Sequence, residues 1–314
     1  SNSFVYCEYI INNGGLNVSY RTRANMMMIG VNVFWGMSYV FMKMGLSSLG
    51  SFTIIALRCL IAFFIAGLFF YKPLRQITRK TIGSSAILGF LLFSVFSFVT
   101  FGVSMTSASN AGFLVSLTVI FVPLLNCFLV KKLPSWPIGL GVITTLTGIG
   151  VLTLKHSFHM NAGDLLCIGT ALCYAIHITL TGTFTKNENP IALGILQLGF
   201  AGLFALTCSF LFEHPSIPTT LSSWIAILGL GVLCSAIGFI CQAIAQRYTT
   251  PTHTGLIFAT EPIFAALFAV LFLHELFTLK ELIGSVIVVA GILIAQLDNF
   301  LLKKRVHYQE TLPK

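Results

Sequence analysis

Residues 251–295 read PTHTGLIFATEPIFAALFAVLFLHELFTLKELIGSVIVVAGILIA. Two apolar runs, 252–273 and the one opening at 279, flank a short polar stretch around His274-Glu275. A helix needs about 20 apolar residues to cross a bilayer, and both runs supply them. The pattern recurs upstream, where residues 108–152 read ASNAGFLVSLTVIFVPLLNCFLVKKLPSWPIGLGVITTLTGIGVL. The two stretches align without a gap: Gly112 on Gly255, Phe121 on Phe264, Gly141 on Gly284 and Gly148 on Gly291.

Working outward, the match continues at slightly smaller offsets. Ala86–Gly89 and Ala226–Gly229 both read AILG, Ile29-Gly30 falls on Ile168-Gly169, and Trp35 falls on Tyr174. Offsets that change only at loops are the mark of a duplicated unit. Ten runs have membrane-spanning length: 26–46, 51–71, 82–105, 109–130, 134–154, 163–184, 190–212, 222–245, 252–273 and 279–301. The expected fold is an all-α membrane protein of ten transmembrane helices in two inverted five-helix repeats. The first repeat is 26–154 and the second 163–301, with a cytoplasmic N-terminal segment over 1–25 and a basic cytoplasmic tail over 302–314. An odd number of helices per unit makes the second copy enter the membrane from the opposite face. Inverted repeats are the architecture of many secondary transporters, which hold their substrate near the midplane.

Composition agrees. Apolar residues make up 56% of the chain and charged residues 9%, against about 25% charged in a soluble domain. Such a chain has too little charge to coat a water-facing surface. Fourteen Lys and Arg residues fall in loops on the side of the termini, three fall on the other side (Lys43, Lys155, Lys280), and Arg58 lies inside a span. The positive-inside bias places both termini in the cytoplasm. The net charge of +9 is mostly this loop charge, so anionic lipid headgroups are the expected partner and nucleic acid is not. The N-terminal stretch lacks the layout of a signal peptide. The eight cysteines form no metal-ligand spacing, and small buried hydrophobes are the expected role; no metal or cofactor is implied. The motifs HExxH, GxSxG and GxxxxGK[ST] are absent, which argues against an intramembrane enzyme and against ATP drive from this chain.

Polar residues inside the spans are the site candidates. Glu261 stands near the middle of the ninth span, where a charge costs roughly 2.5–3.5 kcal/mol, so it must face the bundle or a wet cavity. Two roles are open to it: a structural or gating carboxyl, and a direct ligand for a proton or a substrate ammonium. Pro262 beside it frees a backbone carbonyl and allows a bend, and Pro123 stands on the matching fourth span one turn further along; these are candidate hinges or static bends. Glu275 lies 14 residues beyond Glu261, about 21 Å along a helix, and is expected to hold the turn at the outer surface. Arg58 needs a partner, whether substrate carboxylate, Glu261 or backbone carbonyls. Trp35 and Tyr39 share a face of the first span, and Tyr174, His177 and Thr181 form the corresponding face of the sixth. Aromatic rings with polar tips suit an amphipathic solute, through stacking or cation–π contact, and equally suit ordinary helix packing.

Glu261-Pro262, the apolar run ending Leu273-His274-Glu275-Leu276, then Gly284 and Gly291, together with Arg58 in LRCLIAFFIAG, resemble the drug/metabolite transporter superfamily and its proteins with two EamA-type domains. The resemblance covers roughly residues 26–297. It implies a carrier of small metabolites in the bacterial cytoplasmic membrane, often an exporter of amino acids or related compounds. It also implies a cavity lined mainly by helices 1, 3, 4, 6, 8 and 9, with helix 2 peripheral. Uptake or exchange of a nucleotide- or cofactor-like solute is the alternative, and a channel is a further one. Protons as coupling ion and a homodimer are the remaining partners this reading admits. The sequence departs from the pattern in its first half, where Lys131-Lys132 stands at the place of His274-Glu275 and Thr118-Val119 at that of Glu261-Pro262. These departures weaken a symmetric two-acid mechanism.

Overall fold

The computed structural model describes residues 20–131, 135–153 and 161–273, together with 279–280, 282–284, 286–287, 289–291 and 293–294. Among them there is no strand. Helix α1 runs Tyr20–Leu46, α2 Ser51–Phe69, the short α3 Tyr71–Leu74 and α4 Arg79–Met105. The fourth span is two helices, α5 Ala108–Val115 and α6 Thr118–Val130, and α7 is Trp136–Thr153. Helices α8 Ala162–Asn187 and α9 Pro190–Phe212 follow. The eighth span is α10 Leu221–Leu228, a π-helical segment Gly229–Ile237 and α11 Gly238–Gln246. The ninth is again two helices, α12 Pro251–Phe258 and α13 Glu261–Leu273.

Short polar caps explain how such apolar helices start cleanly between brief loops. Side-chain oxygens of Thr78, Ser107, Thr220 and Thr250 each accept a backbone N–H of the helix they precede. Asn161 and Asp164 form a reciprocal capping box on α8, which satisfies two otherwise unpaired groups. Asn189 caps α9 ahead of Pro190, a position where the missing proline N–H costs nothing. Glu213, at the end of α9, reaches across to the start of α2 and accepts the N–H groups of Phe52 and Thr53, both at 3.0 Å.

Seven helical stretches among the described residues are long and apolar enough to cross a membrane: Ser51–Phe69, Arg79–Met105, Ala108–Leu129, Ala162–Asn187, Pro190–Phe212, Leu221–Gln246 and Pro251–Leu273. The expected number is ten, and the described residues do not reach it. The first predicted span is a helix of 27 residues and the fifth one of 18. Helix α1 carries Asn32, Ser38 and Tyr39 turned inward and buried, polarity that dilutes its apolar character. The tenth lies partly outside the described residues, as does the 1–25 segment; Glu275 and the 302–314 tail lie wholly outside them.

The broken spans are related by the offset read from the sequence. Both bounds of α5 and α12 differ by 143, and so do both bounds of α6 and α13. Their neighbours match as well. Asn32 of α1 bonds the break in the ninth span, donating to the Ile257 carbonyl at 2.8 Å and to Thr260 Oγ1 at 2.7 Å. At the break in the fourth span, Thr118 Oγ1 donates to the carbonyl of Ala171 in α8 at 3.3 Å, and Ala171 stands where the first helix has Asn32.

Helix α4 packs on α8 and α9, α9 packs also on α2, and α1 packs on α13. The last crossing is very close. A Cβ at Gly36 would lie 2.5 Å from Phe264 Cβ and 2.8 Å from the Ala265 amide nitrogen, so only glycine fits there. Around the bundle, Phe64, Leu68, Phe69, Phe128, Phe210, Phe212, Leu271 and Phe272 lie exposed. An apolar girdle of that extent belongs in lipid. Seven cysteines are described and all are free, with Cys59, Cys167 and Cys234 buried.

Candidate functional site

Among the helices of the bundle lies a partly open pocket of about 50 Å³. It is lined from α1 by Trp35, Ser38, Tyr39 and Met42, from α4 by Val95, Phe96 and Val99, and from α5 by Val115. Thr170 and Tyr174 come from α8, Phe239 from α11 and Glu261 from α13. These belong to the first, third, fourth, sixth, eighth and ninth spans. One further residue, Arg58, comes from α2, which is therefore not a peripheral helix at this level.

Each side chain is set there by local structure. Glu261 occupies the first turn of α13, just past the break at Ala259-Thr260, so the positive end of that helix lies at its carboxyl. Pro262 sits in the same first turn, where its absent N–H is harmless, and it opens a new helix rather than bending a continuous one. Pro123 lies inside α6, downstream of the break at Ser116-Leu117, so the fourth span is interrupted at a point free of proline. The breaks are held by hydroxyls instead: Ser116 Oγ donates to the Gly112 carbonyl at 2.8 Å, Thr118 Oγ1 to that of Val115 at 2.6 Å, and Thr260 Oγ1 to that of Ile257 at 2.9 Å.

Tyr39 and Glu261 meet directly. The tyrosine hydroxyl donates to Glu261 Oε1 at 2.8 Å, and both residues are buried. Trp35 is fixed by its indole N–H, which donates to the Cys234 carbonyl in the π segment at 2.8 Å. A Cβ on Gly238 would lie 2.6 Å from that indole nitrogen, so the glycine makes room for the ring. The π segment also supplies Ser235, whose hydroxyl accepts from Arg58 Nε at 2.9 Å. The Arg58 guanidinium lies over the Phe96 ring, 4.0 Å from its centroid.

The rings form one continuous wall. Trp35 meets Phe258 at 4.9 Å, Phe239 at 5.1 Å and Tyr174 at 5.8 Å between centroids. Phe239 meets Phe96 edge-on at 5.5 Å, and Tyr174 stacks on Phe258 at 5.9 Å. Among the described residues the Tyr174 hydroxyl has no hydrogen-bond partner.

The sequence-predicted residues divide accordingly. Trp35, Tyr39, Tyr174, Glu261 and Arg58 come together around the cavity. His177 is not among the lining residues: it sits one helical turn behind Tyr174, fully buried, with Nε2 2.8 Å from Gln197 Oε1. Glu261 is bonded to Tyr39 rather than to Arg58. Lys43 donates to the Thr106 carbonyl at the end of α4 at 2.7 Å, and Asn110 donates to Asp164 at 2.7 Å; both tie helix ends together. Phe96, Phe239 and Phe258 escape a sequence reading because phenylalanine is common along every span. The π segment leaves no sequence signal at all. Among the described residues no group of His, Cys, Asp and Glu is placed to hold a metal.

A helical bundle with seven spans long and apolar enough to cross a membrane among its described residues, and with an apolar outer girdle, defines an integral membrane protein. The chain matches the model of the EamA-like transporter family over residues 22–154 and again over 161–296. It belongs to that family and is a membrane transporter. An uncharacterized transporter of Archaeoglobus fulgidus is 27% identical over 92% of this chain and 91% of its own length. The uncharacterized transporter YoaV of Bacillus subtilis is 23% identical over 84% of this chain and 93% of its own. A solved crystal structure superposes with a TM-score of 0.70 at 20% identity, covering 88% of this chain and 97% of the other, a likeness of fold. Family and relatives point to a transporter rather than an enzyme.

Proposed function

We propose that this transporter is a secondary carrier that exports a small metabolite, an amino acid or related compound, across the bacterial cytoplasmic membrane by alternating access. Its cytoplasmic termini and ten spans in two inverted five-helix repeats belong to this reading. The observation that carries it is the cavity at the two helix breaks, where α1 and α13 bring Tyr39 and Glu261 within 2.8 Å. Discontinuous helices in repeat-related spans are where transporters of inverted-repeat architecture hold their cargo, and the breaks here differ by one constant offset. Further support comes from the matched neighbours of the breaks, Asn32 and Ala171. The repeats rock about the crossings of α1 with α13 and α8 with α6, and the breaks absorb the change in backbone angle. Glu261 is the carboxyl available to a coupling proton or to a substrate amine.

The test is counterflow in proteoliposomes with a panel of labelled amino acids, nucleosides and cofactors. A carrier gives saturable exchange stimulated by substrate on the far side. Flux that rises without saturation and ignores the far-side solute overturns the reading in favour of a channel. Loading the panel inside or outside inside-out vesicles decides between export and uptake.

A further inference from the structure

We infer that the corner between α2 and α4 is a binding site for an anionic phospholipid: Lys72, Arg75, Arg79 and Lys80 take the headgroup phosphate, and the acyl chains lie along the exposed apolar end of α2. The inference goes beyond the carrier reading above and stands without it.

The site begins in composition. Residues 9–163 hold no aspartate or glutamate, so the first half of the bundle carries cations without acidic partners of its own. Four of those cations fall within residues 72–80, and all four are exposed. Among the described residues none of the four forms an ion pair. Other cations that the alternation of helices brings to this side are engaged or offset. Arg21, Arg23 and Arg247 have partners within the protein, and Lys186 stands two residues from Glu188. Glu188 itself is taken up at α4 by Ser84, whose hydroxyl donates to it at 2.7 Å.

Local structure sets these cations at headgroup depth. Helix α2 has 19 residues, about 28 Å at 1.5 Å per residue, close to the thickness of a hydrocarbon core. Its last turns expose Phe64, Leu68 and Phe69, surface suited to acyl chains. The short α3 follows at once, closed by the Arg75 N–H to the Tyr71 and Lys72 carbonyls, both at 3.2 Å. Pro73 is buried in it, while Tyr71, Lys72 and Arg75 face outward. The Arg75 guanidinium lies over the Tyr71 ring, 5.3 Å from its centroid. That contact occupies the face of the guanidinium and leaves its N–H edge open to two phosphate oxygens. Arg79 and Lys80 stand opposite at the start of α4, which Thr78 caps. A zwitterionic headgroup brings a competing cation into this corner, whereas an anionic one does not. A soluble anion answers the charges and forfeits the apolar surface beside them.

The test titrates the protein in detergent with phosphatidylglycerol or phosphatidylcholine and counts bound lipid by native mass spectrometry. Each Lys or Arg beside an anionic lipid is worth about fivefold in affinity, so phosphatidylglycerol should bind about tenfold or more tightly than phosphatidylcholine. Arg75→Gln should lower the phosphatidylglycerol affinity about fivefold and leave phosphatidylcholine unchanged. Lys186→Gln, an exposed cation outside the corner, should change neither. Replacing all four cations by Gln should make the two lipids equivalent, with the unfolding midpoint in phosphatidylcholine nanodiscs retained as proof of folding; the single variants decide the matter where that variant unfolds. A phosphatidylglycerol with a photoreactive headgroup should attach within residues 69–80 of the unaltered protein. Equal affinity for the two lipids, or equal losses from Arg75→Gln and Lys186→Gln, overturns the site, the latter in favour of a diffuse surface field. Displacement of phosphatidylglycerol by millimolar inorganic phosphate also overturns it, in favour of a site for free anions. Absence of counterflow with the lipid results intact removes the carrier reading and leaves this site standing.

Discussion

Two glycines of α1 permit a stringent test of how the cavity is held. At Gly36 an added methyl would sit 2.5 Å from Phe264 Cβ and 2.8 Å from the Ala265 backbone nitrogen, whereas at Gly30 nothing lies within 4 Å. Ordinary carbon contact is about 3.5–4.0 Å, so Gly36→Ala must push α1 and α13 apart by roughly 1 Å. The Tyr39–Glu261 bond spans the same pair of helices at 2.8 Å. Adding that separation stretches it to about 3.8 Å, beyond hydrogen-bond range. Overpacking costs about 1–3 kcal/mol, against which the gain in helix propensity over glycine is about 0.5–1 kcal/mol. Gly36→Ala should therefore lower the midpoint of thermal unfolding in detergent and reduce counterflow. Gly30→Ala carries the propensity gain alone and should hold or raise the midpoint with transport unchanged. Equal behaviour of the two variants, or normal exchange by Gly36→Leu, would refute the argument that this crossing sets the site.

Other outcomes are open to direct measurement. Glu213→Ala removes two backbone bonds and a hydroxyl bond at the start of α2; the expected loss is about 0.5–2 kcal/mol, read as a lower unfolding midpoint. Gly238→Val drives a side chain into the Trp35 indole, so the Trp35 emission should shift and saturable exchange should fall, with the two effects tracking each other across Ala, Val and Leu. If Glu261 carries a coupling proton, Glu261→Gln flattens the pH dependence of transport while the protein still folds; a retained pH profile rejects that role. Asn32→Leu deletes both bonds to the break in the ninth span. At about 0.6 kcal/mol per membrane hydrogen bond, its effect on stability should be small, and its effect on exchange rate should be the larger of the two.

Much of this was legible in the sequence because lipid imposes a simple rule. A spanning segment must be helical and apolar, so run length yields the all-α class, and the gap-free match of 108–152 to 251–295 reappears as helix breaks at the same offset of 143. Trp35, Tyr39, Tyr174 and Glu261 stood out as polar-tipped groups at mid-span depth, and the bundle gathers them. His177 shared the face of Tyr174 by spacing, yet Gln197 draws it behind the ring, and no pattern within α8 encodes a partner on α9. Arg58 was visible as a buried charge, but its place at the cavity depends on Ser235 and Phe96, both distant in the chain. The helix breaks illustrate the limit best. Proline suggested where bends belong, while the break at Ser116-Leu117 is made by hydroxyls bonding back to carbonyls, chemistry that serines and threonines elsewhere in the bundle perform without any interruption.

The π segment has a further consequence. An α-helix advances about 100° per residue, so the wider turns over Gly229–Ile237 change the face that everything beyond them presents. Phe239 and Gln242 owe their orientation to that slip in winding, and the third span, running unbroken as α-helix from Arg79 to Met105, has no such slip. The third and eighth spans thus differ in their winding. Removing a single residue between Gly229 and Ile237 would restore regular winding and turn α11 away from Trp35, leaving a transporter with every lining residue present and one wall facing elsewhere.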